Sequence, residues 1–244
     1  MNLVVDIGNS RTKLAIFSKK ELVDSLTIDK LTISRLEEIK KTYPDIDRTI
    51  LSSVSSANPQ VAGYLKSEYS YFLELNYQTP VPIKNQYKTP YTLGLDRLAA
   101  AIGACELFPG KDLLVIDAGT AITFDLIENN GTFKGGNISP GLRSRFRALH
   151  EFTKNLPLIG EAEEYPVIGQ TTEEAIRAGV INGMVFEIDG TISLFSENRP
   201  DLQPVLTGGD ALFFERRLKN AIFVKFEITL IGLNRILEYN VEKQ

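Results

Sequence analysis

The chain has 244 residues, of which 43% are hydrophobic and 24% charged, the ordinary composition of a globular protein of one large or two small domains. A formal net charge of −4 and a pI near 5.3 argue against general nucleic-acid binding, which calls for a basic surface. No apolar run is read as approaching the roughly 20 residues needed to cross a bilayer, and no secretion signal is expected from a first segment that enters a strand directly.

Leu3–Asp6 and Thr12–Phe17 read as strands joined by the glycine turn at Gly8, and Leu22–Ile28 reads as a third, more weakly alternating strand. Leu36, Ile39 and Tyr43 lie at helical spacing in Leu31–Tyr43, and Pro44 stops that helix. Arg48–Val54 reads as a strand that ends in a small polar loop over Ser52–Ser56, Pro59 opens a helix, and Tyr71–Leu75 is a strand. The first half is thus βββαβαβ. Residues 76–91, with three prolines and several tyrosines, read as a surface loop able to reach a ligand. Thr92–Leu107 reads as a helix with Leu98, Ala101, Ile102 and Cys105 as its buried stripe, and Pro109-Gly110 marks a domain boundary. Domains are therefore expected at 1–110 and 111–244.

The second half opens with strands at Asp112–Asp117, Ile122–Glu128 and Thr132–Ile138, the last two joined by an Asn129-Asn130-Gly131 hairpin turn. Helices are expected over 141–154 and from Thr171 toward Gly190, the latter started by capping-box spacing in Thr171-Thr172-Glu173-Glu174. Gly179 and Gly183 inside that helix permit close packing of another element, including a second subunit. Pro204–Leu206 is a short strand ending in the glycine turn Thr207–Ala211, and 212–218, 221–224 and 226–239 finish as helix, strand and helix.

The two halves repeat one design. Val5-Asp6-Ile7-Gly8 aligns with Ile116-Asp117-Ala118-Gly119, which places Thr12 on Thr123 and Ile16 on Ile127. Each copy is a strand, an acidic residue, a glycine turn and a second strand, the pattern of a duplicated domain. Gly8 lets backbone N–H groups approach a phosphate, Lys13 adds a point charge, and Asp6 can hold a metal or a water. An ordinary polar hairpin remains open for either turn taken alone.

The chemistry must come from carboxylates, a lysine, arginines and bound metal. The single histidine, His150, lies among Arg143, Arg145 and Arg147 in an exposed helix, so a histidine metal cluster is excluded and a serine triad has no support. Cys105, the only cysteine, reads as core filler. Asp96 could accept a hydroxyl proton, and Arg97 beside it could pair with a carboxylate. A helix-start charge with a surface arginine is the alternative.

Five motifs in order carry a resemblance: Asp6–Lys13, Gly94-Leu95-Asp96-Arg97, Asp117–Thr120, Gly135–Gly141 and Thr207-Gly208-Gly209. Together they resemble type III pantothenate kinase, of the actin-like (acetate and sugar kinase) superfamily, over essentially the whole chain. The resemblance implies two duplicated actin-like (ribonuclease H-like) α/β domains with mixed sheets flanked by helices and a nucleotide cleft between them. It implies ATP-dependent phosphorylation of pantothenate, the first step of coenzyme A biosynthesis. It makes Asp6, Ile7, Gly8, Asn9, Ser10, Arg11, Thr12, Lys13 and Thr120 the ATP contacts. Tyr87, Gly94, Leu95, Asp96, Arg97 and Thr172 become the pantothenate contacts, with Asp96 the proton acceptor. Thr171 lies beside Thr172 and competes for that assignment, as helix capping competes for the Thr172 hydroxyl. The cofactors implied are ATP with Mg²⁺ near Asp6 and a monovalent cation, K⁺ or NH₄⁺, at Asp117. A cytoplasmic homodimer with no nucleic-acid or membrane partner is expected. An accessory or regulatory protein on the same fold, and a superfamily phosphatase, stay open as alternatives.

Overall fold

The computed structural model describes residues 1–8, 11–53 and 59–243. In chain order the elements are β1 (Asn2–Ile7), β2 (Thr12–Ser18), β3 (Glu21–Ile28), α1 (Ile33–Thr42), β4 (Arg48–Ser53), α2 (Pro59–Glu68), β5 (Tyr71–Glu74), β6 (Lys84–Asn85) and α3 (Leu95–Leu107). They continue as β7 (Leu113–Ala118), β8 (Ala121–Glu128), β9 (Thr132–Pro140), α4 (Leu142–Phe152), α5 (Thr172–Ser196), β10 (Gln203–Thr207), α6 (Ala211–Glu215), β11 (Phe223–Val224) and α7 (Ile228–Val241).

The chain forms two compact units. One comprises Met1–Pro109, Gly131–Phe133 and Glu227–Gln244, and the other Gly110–Asn130 and Lys134–Phe226. The closing helix, expected with residues 111–244, belongs instead to the first unit. The reason is close packing: α7 meets α3 where two glycines remove the side chains in the way. A methyl group on Gly103 would lie 2.0 Å from the Ile228 carbonyl oxygen, and one on Gly232 would lie 1.8 Å from that of Ala99.

The first unit holds a five-stranded sheet in the order β3-β2-β1-β4-β5. The neighbours of β1 are antiparallel β2 and parallel β4. Its run Asn2–Asp6 is buried throughout, because helices cover both faces of this central strand. Leu3 and Val5 join Leu36, Ile39, Val61 and Leu65 of α1 and α2 in one core cluster. Asn2, Val4 and Asp6 alternate to the opposite face. Asn2 there donates to Asn234 Oδ1 at 2.8 Å on α7, so the same alternation turns Asp6 toward the α3–α7 side.

In the second unit β9-β8-β7-β10-β11 repeats that strand order, again with one antiparallel and one parallel neighbour at the central strand. The repeated strand order bears out the duplication read from the two glycine turns. Helix α5 runs six residues past Gly190 and, by length and composition, is long and apolar enough to cross a membrane. That corrects the expectation that no segment reaches this length; the interior glycines do not end the helix. Ile176, Ile181, Met184, Ile188 and Ile192 of α5 pack into the second unit's core, the burial of a globular core helix.

Strand β6 was not expected within the 76–91 loop. It is only two residues long and pairs in parallel with Thr132–Phe133 of the same unit. The helix expected over Thr92–Leu107 starts at Leu95, because a 3₁₀ turn at Pro90–Thr92 and a non-helical Gly94 (φ −56°, ψ 128°) precede it. Val54 to Ser56, the end of the expected β4 loop, lie outside the described residues.

Candidate active site

In the first unit β1 delivers Asp6 to the end of the sheet, opposite Lys13 on β2 and Ser52 on β4. The carboxylate is 8% exposed, and its Oδ1 has no hydrogen-bond partner among the described residues. Burial pushes its pKa up from 3.8 to about 6; Lys13 and the Ser52 hydroxyl pull it back, and the charge of Asp96 adds to the rise. Asp6 and Asp96 are thus brought close enough to feel each other. The turn after β1 is closed by Gly8 N–H donating to the Arg11 carbonyl at 3.0 Å. Thr12 is buried, Ile7 and Lys13 are half-buried, and Arg11 is exposed. Asn9 and Ser10, expected ATP contacts, lie outside the described residues.

Asp96 stands in the first turn of α3, where the helix dipole favours a negative charge, and its Oδ1 accepts from the Arg97 N–H at 2.9 Å. Gly94 makes room for it: a methyl group there would sit 2.4 Å from that same oxygen. Leu95 is half-buried beside it. Arg97 is 8% exposed, not the surface arginine of the alternative reading, and its guanidinium carbon lies 5.7 Å from the centre of the Tyr87 ring. Asp96 thus stands between Asp6, whose charge it feels, and the Arg97–Tyr87 pair.

In the second unit β7 carries Asp117 to the equivalent place, paired with Thr123 on β8 and Thr207 on β10. The hydroxyl beside each aspartate on the parallel neighbour, Ser52 or Thr207, repeats in both units. The lysine does not. Asp6 faces Lys13, whereas Asp117 faces Thr123, because the second turn is one residue shorter. The sequence alignment of Thr12 with Thr123 therefore slips by one position after the turn.

The Asp117–Thr120 turn is gripped from two sides. Gly208 adopts φ +97°, and a methyl group on it would lie 2.5 Å from both the Ala118 carbonyl and Asp117 Oδ1. A methyl group on Gly141 would lie 2.2 Å from the Gly119 oxygen, and the Ser144 hydroxyl donates to the Thr120 carbonyl at 2.9 Å. Thr120 itself is exposed. Asp210 N–H donates to the Ala118 carbonyl at 3.0 Å, and burial raises the pKa of its half-buried carboxyl, opposed by Arg143. Sequence reading named Thr207–Ala211 a glycine turn but assigned Asp210 and Gly208 no part in the site. A glycine pair closing the strand that neighbours Asp117 was the available signal.

Thr171 caps α5: its hydroxyl accepts from Glu174 N–H, and the Glu174 carboxylate accepts from the Thr171 N–H, both at 3.2 Å. Thr172 is exposed at the first helical position, so the capping role that competed for its hydroxyl belongs to its neighbour. His150 is exposed, with Nδ1 2.8 Å from the Leu156 carbonyl oxygen, and Cys105 is half-buried with its thiol pushed up to about 11 by burial. Neither joins these groups.

Residues 2–194 match the family model described as type III pantothenate kinase. A curated type III pantothenate kinase from Phocaeicola vulgatus is 49% identical over 240 residues, covering 98% of this chain and 99% of that protein. The chain belongs to the type III pantothenate kinase family. Among solved structures, a protein from Campylobacter jejuni aligns over 98% of this chain and 99% of its own at 24% identity and TM-score 0.62. An activator of 2-hydroxyisocaproyl-CoA dehydratase from Clostridium difficile, solved with bound ADPNP, aligns over 99% and 94% at 15% identity and TM-score 0.53. These two likenesses bear on the fold alone, and the fold is the actin-like α/β fold implied by the resemblance.

A pantothenate kinase uses ATP and a divalent metal, and the first unit's residues fit such a metal. Asp6 Oδ1 is a buried hard oxygen without a partner among the described residues, with the Asp96 carboxylate nearby. No group of three or more potential protein ligands occurs among the described residues. Mg²⁺ keeps waters and binds through one or two carboxylates and the phosphates of its nucleotide, so the buried Asp6 carboxylate with Asp96 near it fits that ion.

Proposed function

We propose that the chain transfers the γ-phosphoryl group of ATP to the hydroxyl of pantothenate, giving 4′-phosphopantothenate and ADP, the first step toward coenzyme A. Family membership supports the substrate. The observation that supports the chemistry is the charge coupling of Asp6 with Lys13 and Asp96 at one end of the first unit's central strand, with Arg97 next to Asp96 in α3.

Phosphoryl transfer needs positioning and charge neutralisation more than covalent catalysis. The substrate oxygen attacks the γ-phosphorus, the bond to the bridging oxygen of ADP breaks, and the hydroxyl proton passes to the Asp96 carboxylate. The N–H bond from Arg97 and the gap left by Gly94 fix that carboxylate before substrate arrives. Lys13 places its ammonium against the transferring phosphate. Arg97, backed by the Tyr87 ring, pairs with the pantothenate carboxylate in a fork geometry. Mg²⁺ bound at Asp6 would neutralise charge on the phosphate oxygens. The remaining turn residues Ile7, Gly8, Asn9, Ser10, Arg11 and Thr12, with Thr120, contact ATP; Gly94, Leu95 and Thr172 contact pantothenate. Asp117 holds a monovalent cation, K⁺ or NH₄⁺. The hydroxyl of Thr123 opposite it, where Asp6 has an ammonium, supports that assignment.

We further assign a cytoplasmic homodimer. Gly179, Phe186, Gly190 and Leu194 line up at helical spacing on the exposed side of α5, with Phe186 67% and Leu194 63% exposed. Phe186→Arg should convert a dimer to a monomer in light scattering, and a wild-type monomer would overturn the assignment.

The deciding assay is ADP release from ATP and Mg²⁺ with and without pantothenate, with the product identified by mass. Turnover that needs pantothenate is expected. Turnover without it would indicate a phosphatase, and no turnover would indicate an accessory protein.

A further inference from the structure

Tyr87 is held in place by residues to which no role has been given. Its backbone N–H donates to Asn85 Oδ1 at 2.9 Å, an Asx turn that fixes the backbone two residues on. On either side of Asn85, Lys84 N–H donates to the Gly131 carbonyl at 2.9 Å and Gln86 N–H to the Phe133 carbonyl at 3.0 Å. Its ring stands against that of Phe133, with centroids 6.3 Å apart and planes tilted by 53°. Phe133 is fully buried, so it offers a fixed wall. The Arg97 guanidinium carbon also lies 5.7 Å from the centre of the Tyr87 ring.

A two-residue strand adds little to sheet stability. Its placement gives it a different use. It ties the tyrosine to a rigid ring at the one point where the tyrosine meets the buried arginine. A guanidinium pairs with a carboxylate well only in a fixed plane, so an aromatic ring that sets the plane also sets the selectivity.

We infer that Asn85 and Phe133 are positioning residues that orient the Tyr87–Arg97 pair and so set the preference for an acidic substrate over its neutral analogue. The inference rests on the reading of Arg97 as the partner of the substrate carboxylate. In this role Asn85 and Phe133 act through Tyr87, which both of them contact.

The test uses the full-length enzyme with pantothenate and with its primary carboxamide. Asn85 is exposed, so Asn85→Ala leaves the core intact. Losing one orienting hydrogen bond should raise KM for pantothenate roughly two- to tenfold, with kcat and KM for ATP staying within about twofold. The carboxamide, which forms no charge pair with Arg97, should respond less. Asn85→Ser keeps an acceptor for the Tyr87 N–H and should recover most of the loss. Phe133→Leu should shift KM in the same direction as Asn85→Ala. An unchanged KM for pantothenate in Asn85→Ala, equal changes for acid and amide, or no recovery in Asn85→Ser would overturn the inference. Arg97→Lys separates the two layers. If it fails to narrow the preference for the acid, the reading of Arg97 falls; if it narrows it while Asn85→Ala does not, only the positioning role falls.

Discussion

Replacing Asp6 by Asn should make the ligand-free protein more stable at neutral pH while abolishing activity. A carboxyl whose pKa is raised from 3.8 to about 6 is charged in the fold at a cost of about 3 kcal/mol relative to the unfolded chain. The cause is burial without enough compensation: Lys13 and Ser52 help, Asp96 hinders, and one oxygen has no partner among the described residues. Below pH 3.8 the group is protonated in both states and contributes nothing. Between about 3.8 and 6 the folded state holds the proton that the unfolded state has released, so stability falls as pH rises, and above 6 the full cost persists. Asparagine removes the charge but leaves Lys13 without its partner and adds two donors, so a net gain of about 1–3 kcal/mol at pH 7.5 is expected. Near pH 4 the gain should vanish. Urea unfolding of both proteins at the two pH values, with chelator present, measures the difference, and the other carboxyls cancel between variant and parent. A variant no more stable than the parent at pH 7.5, or a difference independent of pH, would refute the reasoning.

Asp96→Asn should lower kcat by about 10²–10⁴-fold with little change in KM for ATP, the usual size for removing a general base. Gly94→Ala is backbone-compatible, since Gly94 sits at φ −56° and ψ 128°, but the added methyl displaces the Asp96 carboxylate. It should cut kcat by at least about tenfold with a near-normal melting temperature, a pattern expected of misplacement rather than unfolding. Gly208→Ala should do the reverse. A left-handed φ of +97° costs about 1–3 kcal/mol for alanine, and the clash with Ala118 adds to it, so a lower urea midpoint is the readout.

The fold was legible where the chain alternates or punctuates strongly. The βββαβαβ order of the first half and the aspartate-tipped hairpins follow from apolar runs broken by Gly8 and Gly119, and most boundaries agree within two residues. What failed depended on tertiary contact. No local signal tells α7 to join the first unit; the instruction is Gly103 and Gly232, two helical glycines whose purpose appears only when the partner helix is against them. Strand β6 was invisible because two residues carry no period, and its partner lies about fifty positions away. Asp96 and Arg97 were identifiable by motif, but composition favoured a surface charge pair. The burial of Arg97 comes from its place at the start of a helix packed against α7, which the Asp-Arg dipeptide does not encode.

The duplication shows how little sequence change separates two related turns. Both central strands end in an aspartate with a hydroxyl on the parallel neighbour, Ser52 or Thr207. One fewer residue between the strands in the second copy shifts which side chain of the returning strand faces the aspartate: Lys13 against Asp6, Thr123 against Asp117. An ammonium beside a carboxylate suits phosphate and Mg²⁺, since it can turn from the carboxylate to the incoming oxygens. Thr123, opposite Asp117, brings no charge of its own, which is the contrast behind the monovalent cation proposed there. Restoring the charge tests the idea. Thr123→Lys should reduce or remove any stimulation of turnover by K⁺, because the new ammonium would neutralise Asp117 in the cation's place; undiminished K⁺ stimulation would separate the cation's site from Asp117.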